Sequence, residues 1–203
     1  MSDIQIKDYR LLIDHIANCL RSDGLIILHE FDFAVYRPDK TLHAPWSTLR
    51  PVSEASALCR WFYILGNAIA DRGGSRDAAT HLHRWIQEHP GFPDSEIQYD
   101  EFFAPFGPYE YQEEWKDVGC YPKEIGSMMN EDVHVGIPYF ECLHVSHCLQ
   151  SFIRGGRVLL LGNGMHPEDL DRLEDEAHRD LDDLTNPKFV KIQRVYARKR
   201  SVL

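Results

Sequence analysis

Chemistry could reside at three places in this sequence. In the first, His29, Glu30 and Asp32 follow the apolar run Leu25-Ile26-Ile27-Leu28. Open α/β sheets bind ligands beyond the carboxyl ends of their strands, and a carboxylate there can orient an acceptor hydroxyl or act as a base. The same acids are more commonly a solvated strand end or a helix cap. Tyr36 and Trp46, in the polar loop beyond, either line an acceptor pocket or simply pack the loop. His29, Glu30, Asp32, Tyr36 and Trp46 are therefore the candidate substrate-pocket residues.

The second place holds Cys142, His144, His147 and Cys148. On a helix His144 and Cys148 share a face, and His144 and His147 stand three apart. No second cluster supplies the paired spacing of a structural zinc site, so core thiols with flanking surface histidines are expected and no metal is assigned. His81 and His83, two apart, point to opposite sides of a helix. The third place is Val158-Leu159-Leu160-Leu161-Gly162-Asn163-Gly164, which has the outline of a strand entering a Gly-x-Gly loop. A dinucleotide fingerprint needs a third glycine three residues on, and Pro167 stands there. No strand ending in an acid follows within about 20 residues. The expectation is a helix whose apolar face ends at glycine.

The elements that must position these residues follow from periodicity. Residues 9–21 read as a helix behind an Asp8 cap, with Leu12, Ile13, Ile16, Cys19 and Leu20 inward. Ser22-Asp23-Gly24 stops it, with Gly24 free to take a left-handed backbone. The unbroken run Leu25–Leu28 suits a strand buried on both faces, as in a parallel sheet. Helix, glycine turn and buried strand make half of a doubly wound α/β unit. Residues 53–71 form a helix buried through Ala57, Leu58, Trp61, Phe62, Leu65 and Ile69, and residues 77–88 another with Leu82, Trp85 and Ile86 inward. Residues 95–103 alternate as a strand. The stretch 109–161 is mostly helical, interrupted near Gly119 and at Gly136-Ile137-Pro138. Pro167 to Leu184 is an acidic amphipathic helix with Leu170, Leu173, Ala177 and Leu181 inward. Residues 188–197 alternate as a closing strand. No repeat or linker divides the chain, so residues 1–203 read as one domain with a helical insert at about 109–161.

The totals bound the function. With 203 residues, 43% hydrophobic and 27% charged, the chain has room for one sizeable core. A net charge of -10 excludes a nucleic-acid footprint, since Arg198-Lys199-Arg200 is its only basic cluster. No stretch approaches the ~20 apolar residues that span a bilayer. Residues 1–8 lack the charged and apolar regions of a signal peptide. Five scattered cysteines then read as reduced thiols of an intracellular protein, cytoplasmic or nuclear.

Particular words in the sequence add a resemblance. Leu20-Arg21-Ser22-Asp23-Gly24 followed by Leu25–Leu28, His29 and Glu30 resembles the segment that carries the fifth strand of class I S-adenosylmethionine-dependent methyltransferases. Ser22 and Asp23 replace the usual Pro and first Gly. Glu30-Phe31-Asp32-Phe33, Leu82-His83-Arg84-Trp85-Ile86 with Gly91-Phe92, Pro105-Phe106-Gly107-Pro108, Gly164-Met165-His166-Pro167-Glu168-Asp169-Leu170 and Val195-Tyr196-Ala197-Arg198-Lys199 are similar to words of a fungal branch related to secondary-metabolism regulators. The resemblance covers nearly the whole chain. It implies the C-terminal part of a Rossmann-like methyltransferase sheet, an α/β fold in which the last two strands pair antiparallel at the sheet edge. It further implies S-adenosylmethionine as donor, bound by a Gly-rich turn that would precede Met1, and a small molecule or protein side chain as methyl acceptor. No single catalytic residue is assigned. Two other classes stay open: a non-catalytic module docking a partner that covers the open sheet edge, and an inactive, truncated gene product.

Overall fold

The first helix begins where its cap predicts. The Asp8 carboxylate accepts from the Leu11 N–H at 2.9 Å, satisfying one of the donors that every helix start leaves over. In the computed structural model, which describes residues 6–43, 56–106, 143–183 and 185–200, helix α1 spans Tyr9–Cys19 and buries Tyr9, Ile13 and Ala17. Cys19, expected inward, is exposed, and the small Ala17 faces the core instead. The turn that follows also departs from expectation. Asp23, not Gly24, takes the left-handed backbone, with φ of 62°, a conformation that Asp tolerates better than most residues. Gly24 is needed for space: a Cβ there would lie 2.8 Å from the Arg21 carbonyl oxygen.

Strand β1, Leu25–Phe31, comes next, then helices α2, Ala57–Asp71, and α3, Ala78–Gln87. A 3-10 turn at Asp94–Glu96 leads into β2, Ile97–Pro105. Helices α4, Leu143–Gly162, and α5, Pro167–Asp182, precede the last strand, β3, Phe189–Arg198. The described residues thus form a mixed α/β fold with three strands in the order β1-β3-β2. β1 runs antiparallel to β3, from Leu25 opposite Arg198 to Phe31 opposite Ile192. β2 is antiparallel to β3 too. The Phe106 N–H donates to the Lys188 carbonyl while Arg194 meets Asp100, so one index falls as the other rises.

The expectation of a strand buried on both faces does not hold for β1. Ile26 is 4% exposed, but Leu25 and Ile27 are 44% and 48% exposed. An apolar run specifies which residues tolerate burial, not how many neighbours arrive. Here the cover from α1 and α3 lies on the face of Ile26 and Leu28.

The described residues fall into two compact units. The first takes those up to Phe33, those of Ile69–Glu101 and those from Ile192 on. Its core joins Ile13 and Ala17 of α1, Ile26 of β1, Leu82 and Ile86 of α3, Phe92, and Val195 and Ala197 of β3. Lys199 ties the end of α1 to this core, its ammonium donating to the Ala17 and Leu20 carbonyls at 2.8 and 2.7 Å. The second unit contains most of α2 and the α4–α5 hairpin. In α5 the four expected residues, Leu170, Leu173, Ala177 and Leu181, are buried, and Glu168 and Asp169 stand in the first turn, where the helix dipole favours acids. Arg157 of α4 grips Asp171 and Glu174 of α5 at 2.6 Å each. Gly156 lets α4 meet α2 closely, because a Cβ there would lie 2.6 Å from the Trp61 ring. No helix among the described residues is long and apolar enough to cross a membrane.

Candidate functional site

Alternation along β1 decides where its chemical residues point. Leu25, Ile27 and His29 lie on the exposed face, whereas Ile26, Leu28 and Glu30 lie on the face turned to α1 and α3. Glu30 therefore meets Tyr9, whose hydroxyl donates to its Oε1 at 2.5 Å. The Tyr9 ring is buried and stacks on Trp85 of α3 with centroids 5.2 Å apart. Burial raises the Glu30 carboxyl above the usual carboxylate range, opposed by the Tyr9 bond. Burial first, then the bond to Glu30 and its charge, raises the Tyr9 phenol. The pair is a carboxyl group whose charged form burial disfavours, beside a donor that resists ionisation. His29 is exposed, and Asp32 sits half-buried just past the strand end.

Tyr36 belongs to the second unit. Its backbone exchanges hydrogen bonds with Phe189 at 2.8 and 2.9 Å, and its ring stands edge-on to Phe103 with Lys191 above it at 5.7 Å. Trp46 and Cys142 lie outside the described residues, as do the side chains of His144, His147 and Cys148. Among the described residues no group of three His, Cys, Asp or Glu is placed to hold a metal. His81 and His83 separate as expected: His81 bonds Asp77 at 2.9 Å, and His83 packs on the Tyr99 ring.

The second unit also holds a polar cluster that the sequence reading missed. Lys188 is 1% exposed, and its ammonium donates to the carbonyls of Asp180 and Asn186 at 2.7 and 3.2 Å. The Asp180 carboxylate accepts from the Leu58 N–H at the start of α2, at 3.0 Å. Burial first, then the positive charges of Arg37 and Lys188, lowers the nearby His43 imidazole from its ordinary value. Burial pushes the Cys59 thiol up against a bond from Ser56, which keeps it protonated and a poor nucleophile. In the sequence Lys188 reads only as the first residue of an alternating strand. Tyr9 had a faint signal, as an aromatic just inside a helix cap. On the α4–α5 hairpin an open cavity of about 770 Å³ is lined by Arg154, Glu174, Asp175, His178 and Arg179, none of them among the candidates.

No family model matches the chain. The secondary metabolism regulator laeA of Coprinopsis cinerea is 30% identical over 207 residues, covering 98% of this chain and 42% of that protein. Along nearly its whole length, then, the chain is similar to laeA. It spans less than half the length of this relative. That likeness falls in the branch that the sequence words resemble, and the structure gives those words local tasks. Glu30 receives the Tyr9 bond, Trp85 backs Tyr9, Phe92 is buried, and Gly164 to Pro167 turns α4 into α5.

Proposed function

We propose that this laeA-like chain is the acceptor-side part of an S-adenosylmethionine-dependent methyltransferase-like protein, its three strands forming the C-terminal edge of a Rossmann-like sheet. The match to laeA along 98% of the chain carries the reading. The strand order supports it, since the last two strands in sequence, β2 and β3, are antiparallel neighbours.

Among the described residues, the one motif with the outline of a donor loop does not fit the donor. Gly162-Asn163-Gly164 is a helix carboxyl end, with Gly164 at φ of 92°. The N–H groups of Gly164 and Met165 are taken by the Leu161 and Leu160 carbonyls. A Rossmann-like donor site instead needs a glycine turn at the start of a helix, where N–H groups point outward. No step through the donor is therefore assigned here. The contribution of this chain is to hold and orient the acceptor, a small molecule or a protein side chain, because methyl transfer gains much of its rate from positioning.

Calorimetric titration of S-adenosylmethionine into the purified 203-residue chain tests this. A folded chain that gives no binding heat is the expected result. Micromolar affinity would sink the assignment of the donor site to a different part of a longer protein. A second reading, a non-catalytic methyltransferase-like module that docks a partner, is favoured by the exposure of Leu25 and Ile27.

A further inference from the structure

The outer side of the α4–α5 hairpin combines apolar exposure with charges left over from the pairing inside it. Val158 of α4 is 67% exposed and Leu161 36%. Arg154 lies one and two turns before them, so the three share one side of the helix. Arg154 also lines the open cavity of the hairpin, together with Asp175 and Arg179 of α5. Other arginines of the hairpin are answered by carboxylates of α5: Arg157 by Asp171 and Glu174, and Arg172 by Asp169. The Arg154 guanidinium and the Asp175 carboxylate are exposed and, among the described residues, have no ion-pair partner.

Two successive glycines of α4 sharpen the picture. Gly156 is required inside the chain, since a Cβ there would collide with the Trp61 ring. Gly155 is not: a Cβ there would meet nothing within 4 Å among the described residues, and its backbone is helical. A glycine in the interior of a helix lowers stability relative to alanine. Gly155 stands three residues before Val158, where the missing side chain leaves room for a second helix to approach α4 closely. Exposed Val158, bare Gly155 and the unanswered charges are separate observations on one face.

We propose that this face of the hairpin pairs with the same face of a second copy of the chain about a two-fold axis. Val158 and Leu161 pack on their counterparts beside Gly155, and Arg154 of each copy meets Asp175 of the other. Charge complementarity selects a second copy as the occupant. The face carries one free cation and one free anion, so it complements itself: a two-fold axis sets residue i on j and j on i. Both charges are then answered, whereas a basic or an acidic partner answers only one of them. With 16 residues α5 is about 24 Å long, and two helices about 10 Å wide then offer roughly 500 Å². That is below the ~800 Å² per partner of a standard interface, so the dimer is a weak one, dissociating on the order of 10–100 µM. The inference stands apart from the acceptor-side reading and does not involve the donor.

Sedimentation equilibrium of the 203-residue chain, run from about 1 to about 300 µM, tests this. A monomer–dimer transition is expected. Val158→Lys should raise its dissociation constant about tenfold or more, with the melting temperature of the dilute chain unchanged because the residue is exposed. Arg154→Asp and Asp175→Arg should each weaken the dimer about tenfold, since the two-fold axis sets each new charge against its like twice. An equimolar mixture of these two variants should dimerise as tightly as the parent chain, because every contact in the mixed pair is again between opposite charges. Ile27→Lys, on the exposed face of β1 in the first unit, should leave the dimer intact. A chain that stays monomeric over the whole range overturns the proposal. So does self-association that survives Val158→Lys, that is lost with Ile27→Lys instead, or that mixing the two charge variants fails to restore.

Discussion

Each unit encloses an ionisable side chain, and the two are supported differently. In the first, Glu30 is half-buried and meets one neutral donor, the Tyr9 hydroxyl. In the second, Lys188 is almost fully enclosed and its ammonium bridges the Asp180 and Asn186 carbonyls. A phenol solvates a carboxylate but brings no opposite charge, so desolvation dominates and the carboxyl titrates above its ordinary range. The lysine sits at the carboxyl end of α5, where unpaired carbonyls and the helix dipole both welcome a cation. The same fold therefore contains one group that burial works against and one that its surroundings use as a fastener.

The comparison can be broken most sharply at the lysine. Lys188→Met should cost about 2–4 kcal/mol, because it leaves buried carbonyls without a donor and removes the fastener between α5 and β3. Urea unfolding measures it, and a loss below about 0.5 kcal/mol would mean that water or a neighbour replaces the ammonium. Tyr9→Phe should cost less, about 1–2 kcal/mol at neutral pH, since one oxygen of a half-buried carboxylate loses its donor. The cost should shrink in acid, where Glu30 is uncharged; an equal loss at both pH values would assign the effect to packing against Trp85.

The smallest effects sharpen the contrast through pH. The folded-state value of Glu30 is raised above its ordinary 4.5, so its contribution is fully present below that pH and is lost as pH rises through the raised value. Glu30→Gln, which keeps an acceptor for Tyr9, should remove that decline. His43 in the second unit has the opposite sign. Its folded-state value lies below the ordinary 6.5, so its contribution is present above that pH and is lost as pH falls through the lowered value. His43→Gln should flatten this acid-side loss. Stability curves between pH 4 and 8 for both variants check the pair, and slopes of the same sign would refute the assignment.

Much of the fold was legible because it depends on neighbours close in sequence. The Asp8 cap, the four inward residues of α5, and the glycine ending of α4 all follow from local hydrogen bonding and helical period. The environment of β1 was not legible, because its partner β3 lies far along the chain and the run Leu25–Leu28 is compatible with one covered face or two. The candidate site divides the same way. That Glu30 shares a face with Ile26 follows from alternation once the strand is known to reach Phe31. That Tyr9 waits on that face is a tertiary fact. Lys188 carried no signal, since a lysine opening a strand ordinarily points to solvent.

The pairing of Leu25–Phe31 with Ile192–Arg198 also sets an order of events during synthesis. Roughly 160 residues separate the two strands, which at about 5–20 residues per second leaves β1 waiting on the order of ten to thirty seconds after it leaves the ribosome. Through that interval both of its edges and its Leu-Ile-Ile-Leu run are available to other nascent chains. The first unit, assembled from three stretches of sequence, thus cannot close around β1 until the last of them has been made.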